Sequence, residues 1–160
     1  MGWSWRCVCI IDWDVTQIKA SLLPEYMPSV YDNLERLAKI CRPRHGSQGV
    51  FMEDAAMGAI LNQKAETEEW DMKPIKSVLT SKGKDERAVL ASGHHWQEKA
   101  KIAKPAFDKT VEFKKKTANH LWRQIAGFHL ADPKAHKRAD DLFDCYTYGL
   151  IIAFGNYEAL

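Results

Sequence analysis

The sequence predicts an α/β fold, a layered sheet with helices on its faces. Two observations carry this. Short runs rich in β-branched and aromatic residues alternate with segments whose apolar residues recur at helical spacing, the pattern of strands joined by crossover helices. The chain also has 160 residues, 46% hydrophobic and 28% charged, which is enough for one domain over 1–160 with its own core.

The elements follow in order. Trp5 to Ile11 reads as a strand. Asp12-Trp13-Asp14 breaks or bends it, and Val15 to Ala20 continues the extended stretch. Pro24 and Pro28 bracket a turn. Ser29 to Cys41 is a helix, with Val30, Leu34, Leu37 and Cys41 on one stripe, closed by Arg42 to Gly46. Gly49 to Met52 is a short buried strand. Ala55 to Lys64 is a helix with Ile60 and Leu61 inward. Pro74 to Leu79 is a strand, Ser81-Lys82-Gly83 a loop and Lys84 to Glu98 a helix. Lys101 to Ala103 is a short strand or extended piece. Thr117 to Phe128 is a helix striped by Leu121, Ile125 and Phe128. Pro133 to Arg138 is a polar connector, and Asp140 to Phe154 is a last helix, apolar after an acidic first turn.

Net charge is +2, so the whole-molecule field points to no particular partner. The lysines between Lys99 and Lys116, against Asp108 and Glu112, form a local basic stretch that suits phosphates or, more commonly, water. The cysteines Cys7, Cys9, Cys41 and Cys145 lack zinc spacing. Cys7 and Cys9 fit one buried strand face, and a reducing cytosol is the simplest setting. No signal peptide precedes the first strand. Tyr146 to Phe154 is too short to cross a bilayer. The six tryptophans read as packing residues. Adjacent His94 and His95 point about 100° apart on a helix and do not share a metal, and His120, His129 and His136 have no zinc-like spacing to a cysteine pair.

The densest chemistry lies in Asp140-Asp141-Leu142-Phe143-Asp144 and in Glu53-Asp54. Helical spacing puts Asp140, Asp141 and Asp144 on one face, where like charges repel unless cations sit nearby. Glu53-Asp54 ends a strand, and sites in layered sheets lie beyond strand ends. Carboxylates converging from a strand end and a helix suit Mg²⁺ or Mn²⁺. The plain alternative is an acidic helix start favoured by the helix dipole.

Four segments in order resemble the C-terminal nuclease domain of tailed-phage terminase large subunits, the DNA-packaging motors. They are Val50 to Gly58, with Glu53-Asp54 at the strand end; Ile75 to Ala88, with the basic helix start Lys82-Gly83-Lys84-Asp85-Glu86-Arg87-Ala88; Gln124 to Phe128; and Lys137 to Asp144 with Tyr148. The resemblance implies an RNase H-like mixed sheet with helices on both faces, and cleavage of double-stranded DNA by two metal ions, Mg²⁺ or Mn²⁺. Glu53 would anchor the metals, with Asp54 the neighbouring candidate. Asp144 would be the second anchor and Asp141 an outer ligand, while Asp140 is expected to be exposed or to cap the helix. The Glu53 and Asp144 carboxylates would then lie within about 8 Å, close enough for a two-metal site. Lys82, Lys84, Arg87 and the Lys114, Lys115, Lys116 run would contact phosphates.

The resemblance also implies partners, among them the terminase ATPase domain, the portal or the small terminase subunit, and a place in the host cell cytoplasm. In one respect the chain departs from that family. Arg6 to Ala20 resembles the family's last strand before the first helix, so the domain is expected to be N-terminally truncated and to lack the first metal carboxylate. Asp12 or Asp14 is the possible substitute. A domain so reduced is expected to cut weakly or not at all, or to serve as a non-catalytic DNA-binding or assembly module.

Overall fold

The computed structural model describes residues 7–54, 57–133 and 139–155. Trp3, Trp5, the Ala55-Ala56 start of the second helix, residues 134–138 of the polar connector and His136 lie outside them. The chain is α/β and divides into two compact units, Gln17–Thr80, and Met1–Thr16 with Ser81–Leu160. Among the described residues the strands form three two-stranded ladders rather than one mixed sheet. Each strand is only three residues long.

In the Gln17–Thr80 unit, a 3₁₀ turn at Ala20–Leu22 leads into helix α1, Leu23–Cys41. The prolines expected to bracket a turn lie inside this helix. Pro24 falls in the first turn, where a backbone N–H has no helical partner to lose. Pro28 removes one bond close to that end, while neighbouring Met27 is buried. Arg42 closes the helix in the left-handed region, its N–H donating to the Ala38 carbonyl at 2.8 Å.

Strand β2, Val50–Met52, pairs in parallel with β3, Met72–Pro74, through helix α2, Met57–Thr67. Parallel neighbours require such a crossover. Gly49 enters β2 with φ +79°, and a Cβ there would stand 2.2 Å from the Asp71 carbonyl oxygen. The strand expected over Pro74 to Leu79 ends at Pro74, and Ser77–Thr80 forms the short helix α3. Ile75 and Leu79 are both buried, four residues apart. Ile75 lies outside that helix, its N–H donating to the Met52 carbonyl at 2.8 Å, so the run Ile75 to Val78 mixes a strand end with a helix start.

In the other unit, strand β1, Val8–Ile10, pairs in parallel with β4, Ala100–Ile102. Val8 and Ile10 pack on the core, so alternation turns Cys9 outward. The expectation of a buried Cys7 and Cys9 is thereby corrected: both are exposed free thiols. Helix α4, Lys84–Trp96, and the short α5, Lys104–Asp108, flank β4 in sequence.

Residues Val111–Phe113 and Lys116–Ala118 form an antiparallel hairpin, β5 and β6. The predicted helix had absorbed part of this hairpin. Helix α6 instead starts at His120, where the Asn119 side chain accepts from the Trp122 N–H at 2.8 Å and caps it. Helix α7, Asp141–Phe154, closes the unit.

The core of this unit joins Ala88 and Ala91 of α4, Leu121 of α6, and Leu142, Phe143, Tyr146 and Leu150 of α7, with Trp13 and Ala106. Trp13 donates its indole N–H to the Ala106 carbonyl at 2.8 Å, so this tryptophan packs as expected. Trp96, 88% exposed, and Trp122, 41% exposed with its ring edge-on to Phe107, are not core residues.

Candidate functional site

The acidic start of α7 meets the basic start of α4. Apolar packing between the two helices brings the charges together: Ala88 and Ala91 lie against the same cluster as Leu142, Phe143 and Tyr146. Gln124 of α6 fixes the end of α7, its side-chain oxygen accepting from the Phe143 N–H at 3.0 Å. Phe128 stacks on Phe143 with ring centroids 4.0 Å apart.

Asp144 is the centre of the charged cluster. Its Oδ1 accepts from Arg87 Nη2 at 2.7 Å, and its Oδ2 stands 3.1 Å from Lys84 Nζ. Asp140 also pairs with Lys84. Arg87 donates through Nη1 to the Lys82 carbonyl at 2.5 Å, and its guanidinium lies 4.5 Å from the centroid of the Tyr148 ring. Its side chain is only 8% accessible.

Burial pulls the Lys84 ammonium down, but hydrogen bonds to Asp140 and Asp144 and their negative charge outweigh it and hold the group above the usual lysine value. The repulsion that three acids on one face would suffer is answered by these two cations. Both first-turn acids, Asp141 and Asp144, also sit at the favourable end of the helix dipole.

Asp140, not Asp141, joins Asp144 in the cluster; Asp141 is exposed. Lys82 pairs with Glu86 at 2.5 Å. Asp12 accepts from Lys109 Nζ at 2.8 Å, and Asp14 accepts from the Val15 N–H. Glu53 and Asp54 belong to the Gln17–Thr80 unit, where both are exposed. Asp54 lines a groove of about 370 Å³ with Asn62, Glu66 and Trp70, and accepts from the Asn62 amide at 3.3 Å. Gly58 packs so closely under this turn that a Cβ on it would fall 1.7 Å from the Glu53 carbonyl oxygen.

The α7 acids as they stand do not fit a divalent cation. Each Asp144 oxygen faces a protein cation, and Asp140 shares Lys84 with it. Among the described residues of either unit, no group of three His, Cys, Asp or Glu side chains is arranged to hold a metal.

Six of the seven lysines of the basic stretch part into two sets, and half-buried Lys99 belongs to neither. Lys101, Lys104 and Lys109 pair with Glu98, Asp108 and Asp12. Lys114, Lys115 and Lys116 are exposed and have no carboxylate partner among the described residues. Lys114 and Lys115 are the two central residues of the β5–β6 turn, with φ +49° and +62°, a turn of type I′. Lys116 continues into a groove of about 600 Å³ lined also by Lys84, His120, Arg123, Phe128, Ala131 and Asp140. Sequence reasoning missed Arg123 and this groove. The one signal was a basic residue at the fourth position of a short helix capped by Asn119.

His95 Nδ1 and the Tyr146 hydroxyl are 2.7 Å apart, and burial pushes the Tyr146 phenol up to about 12. The fold therefore holds Tyr146 neutral where an unfolded tyrosine, near 10, would ionise. That stability is fully present below pH 10 and is lost as pH rises toward 12. The raised Lys84 has the same sign, because its ion pairs are lost only as pH rises through its folded value. A melting temperature flat to pH 10 and falling above it is expected, with a shallower fall in Tyr146→Phe. An equal slope in both proteins would refute the assignment to Tyr146.

No family model, curated protein or solved structure matches the chain. No described helix is long and apolar enough to cross a membrane.

Proposed function

We propose that this chain is a DNA-binding module of the terminase-nuclease type, with an RNase H-like ancestry in its α/β elements, and that it binds double-stranded DNA without cutting it. The observation that carries the reading is the β5–β6 turn, where Lys114 and Lys115 stand exposed and unpaired by any described carboxylate. Lysines so placed neutralise backbone phosphates, which gives affinity without sequence information. The charge balance at Asp144 supports the non-catalytic half of the proposal, since Arg87 and Lys84 already serve as its counter-ions.

The test is duplex binding by fluorescence anisotropy across a salt series. Affinity is expected to fall steeply with salt, with a slope of about −0.9 for each phosphate contact on a log–log plot. Replacing Lys114 and Lys115 together by glutamine should flatten the slope by nearly 2. Binding that ignores salt, or is unchanged in this variant, would refute the proposal.

A second reading, the metal-dependent endonuclease, has one observation in its favour. Asp140 and Asp144, one helical turn apart, both address a single cationic nitrogen on Lys84. A divalent ion would have to displace that ammonium and recruit further acidic ligands. A plasmid assay in Mn²⁺ decides between the readings. Cutting lost in Asp144→Asn would favour the nuclease, and cutting lost in Asp12→Asn or Asp14→Asn would give those residues the role of the first carboxylate.

A further inference from the structure

The groove beside the hairpin has a chemistry that duplex binding does not use. Its volume, about 600 Å³, lies within the range of small-ligand sites, ~300–1,000 Å³. It holds one or two nucleotides but not a double helix. Its walls come from the start of α4, from β6 and α6, from the turn over residues 127–132, and from the approach to α7.

The groove combines cations, an apolar surface and an amide donor with the carboxylates of Asp85, Asp132 and Asp140, of which Asp85 accepts from the Ala131 N–H at 2.9 Å. Lys116 and Arg123 are exposed cations with no carboxylate partner among the described residues. Lys84, the third cation, is spent on Asp140 and Asp144. Gly127, Phe128, Ala131 and Ala139 supply an apolar surface. Phe128 is held in place by its stack on Phe143, so its ring is a fixed platform. Gln124 has its oxygen committed to the Phe143 N–H, which leaves its amide N–H₂ as a donor.

Unspent cations beside a fixed aromatic ring and an amide donor match the parts of a nucleotide. The phosphate needs positive charge, the base a flat apolar face, and the base edge a hydrogen-bond donor. We propose that this groove binds a nucleotide unit of single-stranded DNA, with its phosphates on Lys116 and Arg123 and its base against Phe128. The proposal rests on the DNA-binding reading above and assigns it a second, strand-selective subsite next to the hairpin tip.

The experiment compares a fluorescein-labelled oligothymidylate of ten residues with a labelled 20-base-pair duplex, using the full chain. Lys116→Gln/Arg123→Gln replaces two exposed side chains, and its melting temperature should match the wild type. This variant is expected to bind the single strand roughly tenfold more weakly, with a salt slope shallower by about 1.4 for two lost contacts on single-stranded DNA. Duplex affinity should change less than about threefold, because Lys114 and Lys115 remain.

Phe128→Leu should weaken the single strand alone, by about tenfold, as loss of base stacking does. If it unfolds the chain, thymidine 5′-monophosphate titrated into the wild type reports the same contact. The amides of Gly127, Phe128 and Ala131 should then shift in an NMR spectrum.

Equal weakening of both DNAs in Lys116→Gln/Arg123→Gln, or of neither, would overturn the groove proposal and leave the duplex reading standing. Failure of both DNAs to bind, with amides that do shift with the monophosphate, would overturn the DNA reading and leave a site for free nucleotides. No shift and no single-strand binding, with the duplex still bound, would overturn the groove alone.

Discussion

Asp144→Ala is expected to destabilise the chain by about 3–5 kcal/mol, the cost of breaking a buried ion pair and stranding one charge. The stranded charge is Arg87. Its guanidinium is almost inaccessible and would keep only the Lys82 carbonyl and the face of Tyr148 as partners. Lys84 cannot relieve it, being a cation itself. Asp144→Asn keeps an acceptor for Arg87 and should cost less, ~1.5–3 kcal/mol, the worth of a charged hydrogen bond.

Arg87→Met should be milder than Asp144→Ala. It fills the place with an apolar chain and leaves Asp144, which is a quarter exposed, with Lys84 and water. Urea unfolding of the three variants measures this asymmetry. The order Asp144→Ala, Asp144→Asn, Arg87→Met marks a clamp between α4 and α7. A divalent site would behave differently: millimolar Mn²⁺ would raise the wild-type melting temperature, because an ion binding only the folded state stabilises it. For a clamp no Mn²⁺ shift is expected, and a shift abolished in Asp144→Asn would overturn that account.

Gly58→Ala is expected to cost at least about 3 kcal/mol, at or beyond the upper end for overpacking. The added methyl would fall 1.7 Å from the Glu53 carbonyl oxygen and 2.9 Å from its carbon. These are backbone atoms, so no rotamer change can make room. Relief requires β2 and α2 to separate, which would also displace the Glu53–Asp54 turn between them. Gly93→Ala is the control. Nothing lies within 4 Å of a Cβ there, inside α4, and alanine should stabilise by up to about 1 kcal/mol through helix propensity. Thermal melts of both variants check the pair. A neutral Gly58→Ala would mean that the close approach does not hold in solution.

The long helices were legible in the sequence because their apolar stripes repeat over many turns. The stripe of α1 and the acidic start of the apolar α7 were readable without coordinates. The strands were harder. Three-residue ladders give too few residues for alternation to distinguish, and Ile75 with Val78 looked like a strand where the buried pair is Ile75 and Leu79. The hairpin was missed because Lys114 and Lys115 carry no turn signal of the Asn-Gly kind.

Within the site, spacing correctly drew Asp140 and Asp144 to one face. It could not say that Asp140 rather than Asp141 would meet Lys84. That choice depends on where α7 begins and on how α4 is rotated against it, which is set by contacts such as Gln124 on the Phe143 N–H. Arg87 was legible as a basic residue but not as a buried one, because its burial comes from α7 and Tyr148.

The two lysines at the β5–β6 tip occupy backbone conformations that glycine and asparagine adopt with less strain. The sequence thus carries a less stable turn than Asn-Gly would give, and presents two exposed charges on it. On the DNA-binding proposal, an Asn-Gly replacement at 114 and 115 would therefore be a gain and a loss at once: a tighter, faster-forming hairpin with two phosphate contacts fewer. Selection for thermal stability alone would drive the chain toward that replacement, and selection for binding would hold it back. A library varied only at these two positions would separate the two pressures.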